Sequence, residues 1–129
     1  VLFRSKWMSK QSKEEVEHSN EFYNYVLKRN GKVEFFALDK PRMDFKSVKE
    51  VFEATLAHEE AVTAAIEKIH KLARELGDYG AEVFLNKFAE EQEEEEEQVQ
   101  KIIDKIVSLD IDNNSATLYL LDKEMGARE

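Results

Sequence analysis

The chain has 129 residues, a length that fits one domain, with 28 Asp+Glu against 19 Lys+Arg and a formal charge of −9. That balance disfavours nucleic-acid phosphates and anionic membranes as partners, and no apolar run approaches the length of a membrane span. The absence of Cys excludes a disulfide framework, a thiolate metal site and a Cys nucleophile, and it fits a cytoplasmic location. At 42% hydrophobic residues the chain can build a core, and four Gly with one Pro predict few breaks and long helices. The expected fold class is all-α.

Val1–Ser5 carry no cap or staple and match nothing after them. They read as a non-native or artefactual leader, so the domain is expected to span residues 6–129 and to begin partway into a longer protein. A first helix is predicted from about Lys6, with Lys28 and Arg29 in its last turn and Gly31 just past its end. Residues 32–46 are extended in character, and Pro41 forbids a helix interior there, which predicts a long connection. Ser47 with Glu50 forms a capping box that opens a second helix running to about Glu75. Gly77-Asp78-Tyr79-Gly80 is a short break, and a third helix is expected from Ala81 to Ser108. Asp112–Ser115 reads as a turn and Thr117–Met125 as a short final helix.

Each long helix carries a stripe at spacings of three and four. In the first the stripe runs Trp7, Gln11, Glu15, His18, Phe22, Tyr25. In the second it runs Phe52, Thr55, Glu59, Val62, Ile66, Ile69, Ala73, Leu76. In the third it runs Phe84, Phe88, Gln92, Glu95, Val99, Ile102, Ile106, Leu109. These stripes are mostly apolar, but Glu15 with His18, Glu59, and Gln92 with Glu95 interrupt them. An ionised carboxylate in a helix seam costs on the order of several kcal/mol unless it is paired or metal-bound. Interruptions on all three helices therefore point to a shared polar layer.

The short break makes the second and third helices antiparallel neighbours. Glu59 lies 18 residues before Gly77, Glu95 lies 18 after it and Gln92 lies 15 after it. With a uniform rise along both helices these positions come level. The long connection leaves room for Glu15 to reach the same layer. Oxygen ligands with one imidazole suit iron or manganese, and Glu15-x-x-His18 puts carboxylate and imidazole one turn apart on one face. A carboxylate that bridges two cations would suit O₂ or peroxide chemistry on Fe(II). Glu14, Glu91 and Glu94 lie beside the seam and are candidates for a second, more exposed cation site.

The competing reading of this layer is a buried hydrogen-bonded network without metal. Gln92 is either a ligand or a hydrogen-bond partner of the ligands, and the second role is favoured. Glu67-x-x-His70 and His58 fall off the seam and read as solvated, as do Glu93, Glu96 and Glu97 of the run of five Glu. Trp7, Phe22, Phe84 and Phe88 read as core.

Lys6-Trp7, then Lys10-Gln11-Ser12-Lys13-Glu14-Glu15-Val16-Glu17-His18, resembles the second bundle helix of non-haem bacterial ferritins. His58-Glu59-Glu60 and Glu91-Gln92-Glu93-Glu94-Glu95-Glu96 are similar to the ligand motifs of that family's third and fourth helices. Leu118-Tyr119-Leu120-Leu121-Asp122-Lys123-Glu124 is similar to its short fifth helix. The resemblance implies a ferritin-like antiparallel helical bundle with a long crossover and a short C-terminal helix. It implies that Glu15 bridges two irons, that His18 binds one, and that Glu59 and Glu95 bind the other with Gln92 close by. Glu14, Glu91 and Glu94, with Glu95, would make an accessory iron site. The implied activity is ferroxidase: Fe(II) is oxidised at a di-iron centre and stored as ferric mineral in a homo-oligomeric shell of 24 subunits. Val16 stands where bacterioferritins carry a haem-ligating Met, so no haem is expected. The family's first bundle helix, with its glutamate ligand, has no counterpart in this sequence. The alternative function is a non-catalytic helical assembly subunit whose acidic face binds cations loosely or docks a partner.

Overall fold

Breakers and caps set the boundaries of a chain that is otherwise helix-prone. The computed structural model describes residues 2–126, with side chains from residue 6 onward. Four α-helices are present among them: α1 (Leu2–Lys28), α2 (Val48–Glu75), α3 (Tyr79–Ser108) and α4 (Ser115–Met125). A 3-10 turn covers Ile111–Asn113, and no strand occurs among the described residues. The all-α expectation holds.

Three helices start earlier than expected: α1 at Leu2 rather than Lys6, α3 at Tyr79 rather than Ala81, and α4 at Ser115 rather than Thr117. Residues 2–5 hold neither Gly nor Pro, so nothing stops the helix from extending backwards through them. At the end of α1 it is Asn30, at φ 58°, that takes the left-handed position, and not Gly31. Gly31 follows, donating its N–H to the Val26 carbonyl at 2.8 Å, while Asn30 donates to Leu27 at 3.0 Å. This is a Schellman closure, and a Cβ on Gly31 would sit 2.7 Å from Val26 Cγ1. Gly77 closes α2 in the same way at φ +66°, with Asp78 N–H bonded to the Ala73 carbonyl at 2.8 Å. Asp78 then caps α3 by accepting from Ala81 N–H at 3.0 Å. One residue thus ends one helix and starts the next.

The chain forms two compact units: residues 2–43 with 116–126, and residues 44–115. In the first, Trp7, Gln11, Leu121, Asp122 and Met125 are buried, and Phe22 and Tyr25 are half-buried. The connection after α1 has no regular structure from Gly31 to Phe45, as expected, and Phe35 stacks on Tyr23 of α1 with centroids 6.0 Å apart.

The second unit is the antiparallel α2–α3 pair. Its buried α2 residues are Phe52, Glu59, Ile66 and Ala73, spaced seven apart. On α3 they are Leu85, Phe88, Gln92, Glu95, Val99, Ile103 and Ile106. Each buried apolar side chain contributes roughly 1.5–3 kcal/mol. Several expected stripe members lie outside this seam. Ile69 and Leu76 are exposed, each at the edge of the α2 stripe, and so is Leu109. Ile103 is buried in place of Ile102, and Leu85 is buried where Phe84 is only half-buried. The reason is helical phase. A strict seven-residue repeat drifts by about 20° per heptad, and the extra step from Val99 to Ile103 restores the phase.

Ser47 caps α2 by accepting from Glu50 N–H at 3.1 Å, but the Glu50 carboxylate reaches the Lys46 N–H, at 2.6 Å, rather than that of Ser47. Asp112 supplies a further cap that the local pattern did not show: its carboxylate accepts from Val48 N–H at 2.8 Å and Lys49 N–H at 3.3 Å. The expected turn is therefore a 3-10 turn held against the start of α2, with Ile111 buried beneath it. No helix among the described residues is long and apolar enough to cross a membrane.

Candidate metal centre

The antiparallel register is marked by side-chain bonds from the turn as far as Glu59 on α2 and Glu96 on α3. Near the turn, Arg74 Nε meets Glu82 Oε2 at 3.2 Å and His70 Nε2 meets Asn86 Oδ1 at 2.9 Å. Farther along, Gln92 Nε2 donates to the Glu59 side chain at Oε2, 3.2 Å, and to the Glu59 backbone carbonyl, 3.2 Å. The same amide reaches Thr63 Oγ1 at 3.4 Å, and Thr63 Oγ1 donates to Glu96 Oε1. Counting outwards from Gly77 therefore brought the right residues level, and the direct pairing is between Glu59 and Gln92.

Three polar side chains interrupt this seam, and all are buried: Glu59 is 2% exposed, Gln92 4% and Glu95 8%. Gln92 and Glu95 are three residues apart, one turn along the same face of α3. A buried carboxylate must recover its lost hydration from bonds or a cation. The Gln92 amide, shared among Glu59 Oε2, the Glu59 carbonyl and Thr63 Oγ1, supplies neutral N–H donors and no charge. The donor set is two carboxylates and an amide, which suits a hard cation such as Fe(II).

Residues 2–43 present the other half of the predicted set. Glu15 and His18 lie one turn apart on α1 and are half-buried. Gln11 Nε2 approaches Glu15 Oε1 at 3.5 Å, the outer limit of a hydrogen bond. Of the accessory candidates, Glu14 and Glu91 are half-buried and Glu94 is exposed. Glu14 pairs with Lys10 at 4.0 Å and Glu91 with Lys87 at 3.8 Å, each one turn earlier on its own helix. Among the described residues, no three His, Asp or Glu side chains are gathered closely enough to hold a metal ion.

His58, Glu67, Glu93 and Glu97 are exposed, as expected. Two residues expected to be solvated are not. His70 is half-buried on Asn86, and Glu96 is half-buried on Thr63. Thr63 and Glu96 are the site neighbours the sequence reading missed. The available signal was spacing, since Thr63 stands four residues after Glu59 and Glu96 four after Gln92.

A family model described as a ferritin-like domain matches residues 4–109. A bacterial non-heme ferritin of Staphylococcus aureus (strain USA300) is 39% identical over 118 residues, which cover 92% of this chain and 70% of the relative. One from Staphylococcus haemolyticus is 38% identical over the same coverage. Among solved structures, an open pore ferritin from the archaeon Archaeoglobus fulgidus superposes with a TM-score of 0.92 at 31% identity, covering 97% of this chain and 76% of that one.

Proposed function

This chain belongs to the ferritin family, with the helical-bundle fold of that family, and we propose that it is an iron-storage subunit that oxidises Fe(II). Iron storage is the function its family and its relatives support. The observation that carries the finer reading is the buried α2–α3 seam, where Glu59 is bonded to Gln92 and Glu95 is buried one turn along.

In this reading Fe(II) is the substrate. Glu59 and Glu95 hold one iron through carboxylate oxygens, and Gln92 orients Glu59 by hydrogen bonds. Glu15 bridges to a second iron, which His18 also holds, completing a di-iron carboxylate site. Two anionic oxygens in a water-poor seam stabilise Fe(III) more than Fe(II), because the Coulomb gain rises with the charge on the metal. The same residues thus favour electron loss to O₂ or peroxide. Glu14, Glu91 and Glu94, with Glu95, make an accessory iron site. Haem has no part in this scheme, since Val16 carries no atom that can ligate it. The assembly is a homo-oligomer in the cytoplasm, of 24 subunits in its closed form.

The test is anaerobic loading with Fe(II), then air, recording O₂ uptake and ferric absorbance for the wild type, Glu15→Ala and Glu95→Ala. Fast oxidation lost in both variants is the expected outcome. A Glu95→Ala variant as fast as the wild type sinks the proposal. A second reading, a non-catalytic assembly subunit with an acidic cation-binding face, draws on the groove lined by Glu60, Glu93, Glu96, Glu97 and Asp104. It predicts stoichiometric metal uptake without O₂ consumption.

A further inference from the structure

The bonds around Gln92 have a direction, and an outlying residue sets it. A carboxylate and a backbone carbonyl only accept, so the amide edge facing Glu59 must be the NH₂ of Gln92. Glu96 also only accepts, so Thr63 must spend its single hydroxyl proton on Glu96. The lone pairs of Thr63 Oγ1 then face Gln92 Nε2 at 3.4 Å and accept from it. The two N–H groups of Gln92 are thus shared among Glu59 Oε2, the Glu59 carbonyl and Thr63 Oγ1, and the one hydroxyl proton of Thr63 is committed to the Glu96 carboxylate. If Thr63 donated to Gln92 instead, the amide would present its oxygen to Thr63 and could turn that oxygen towards Glu59, where two acceptors repel it.

We propose that Thr63, anchored by Glu96, is a positioning residue for the metal centre: it locks the Gln92 carboxamide with Nε2 on Glu59 and so fixes the Glu59 carboxylate for a cation. This inference rests on the reading of Glu59 and Glu95 as ligands. Thr63 itself does not touch the metal. It acts through Gln92, as hydrogen-bond partners of metal ligands generally do. In the α2–α3 pair the Gln92–Glu59 and Thr63–Glu96 bonds are already made. The lock therefore costs little additional ordering when the metal arrives.

The test uses the full chain and Co(II) alone, titrated without O₂. Binding is followed by calorimetry and by the Co(II) visible bands, whose position and intensity report ligand geometry. Thr63→Val removes the hydroxyl at constant shape and is expected to weaken Co(II) binding by about 10- to 100-fold, the range for residues behind a metal ligand, and to alter the visible bands. Thr63→Ser restores the hydroxyl and is expected to restore both. Glu96→Gln, an isosteric change at a half-buried position, lets the amide point either way and is expected to weaken binding in the same direction even if Thr63→Val folds poorly. Glu59→Gln serves as the reference variant and should lose the site. Wild-type affinity and bands in both Thr63→Val and Glu96→Gln, with Glu59→Gln impaired, overturn the positioning role and leave the ligand reading standing. Wild-type binding in Glu59→Gln overturns the ligand reading and the positioning role with it.

Discussion

The two compact units carry the two halves of the predicted site, and they hold them differently. In residues 44–115 Glu59, Gln92 and Glu95 are buried, and side chains are bonded from one helix to the next, Gln92 to Glu59 and the half-buried Thr63 to Glu96. In residues 2–43 the corresponding pair, Glu15 and His18, is half-buried, and Glu15 is approached by Gln11 of its own helix at 3.5 Å. Cross-helix bonds and close packing restrict the rotamers of the α2–α3 residues. If Glu15 and His18 ligate iron as proposed, more of their ordering falls to the binding step. Preorganisation here follows from how many neighbours a helix face has, and less from which residues it carries.

This contrast is breakable by experiment. The largest expected effect is on oxidation: Glu59→Ala and Glu15→Ala should both remove fast O₂ uptake. For Co(II) alone, however, Glu59→Ala should cost more affinity than Glu15→Ala. Equal losses in the Co(II) titration would mean that the α2–α3 half is no better organised than the other. Next comes stability. Phe52→Ala should cost about 3–5 kcal/mol and Ile66→Ala about 2–5 kcal/mol by urea unfolding, because both vacate buried space in the seam. Phe22→Ala, at a half-buried site of α1, should cost less than Phe52→Ala, and the reverse order would sink the contrast. Glycine closures give smaller shifts. Gly77→Ala forces a Cβ into the left-handed region and should cost about 1–2 kcal/mol, although nothing lies within 4 Å of that Cβ. Gly31→Ala meets Val26 instead and tests a contact rather than a dihedral. Asp112→Ala should cost about 1 kcal/mol by thermal melting through loss of the α2 cap. The smallest effect is expected for Lys87→Ala. It removes a surface ion pair with Glu91 and should change stability by less than about 1 kcal/mol.

Much of this was legible because helices write their packing into their spacing. Trp7 and Gln11 on α1, Phe52 and Glu59 on α2, and Phe88, Gln92, Glu95 and Val99 on α3 all stand in the predicted stripes, and all are buried. Gln92, whose favoured role is hydrogen bonding to the neighbouring polar side chains rather than metal ligation, donates to Glu59. Where the reading slipped, the residues lie at stripe edges. Ile102 and Ile103 are both apolar and adjacent, and only the accumulated phase of α3 selects the second. Asp112 and Val48 are 64 residues apart, so no local pattern could show that one caps the other. The ion pairs of Glu14 and Glu91 with their preceding lysines were visible as i,i+4 charges.

The sequence by itself determined the helices, their breaks and the polar residues placed in apolar seams, because propensity, capping and a 3.6-residue period act over a few residues at a time. Only the tertiary structure decided that Thr63 and Glu96 belong with Glu59 and Gln92. A side chain's partner across a helix pair depends on the register and rotation of two long helices. Those are fixed by all the buried contacts between them at once, and by none of the residues alone.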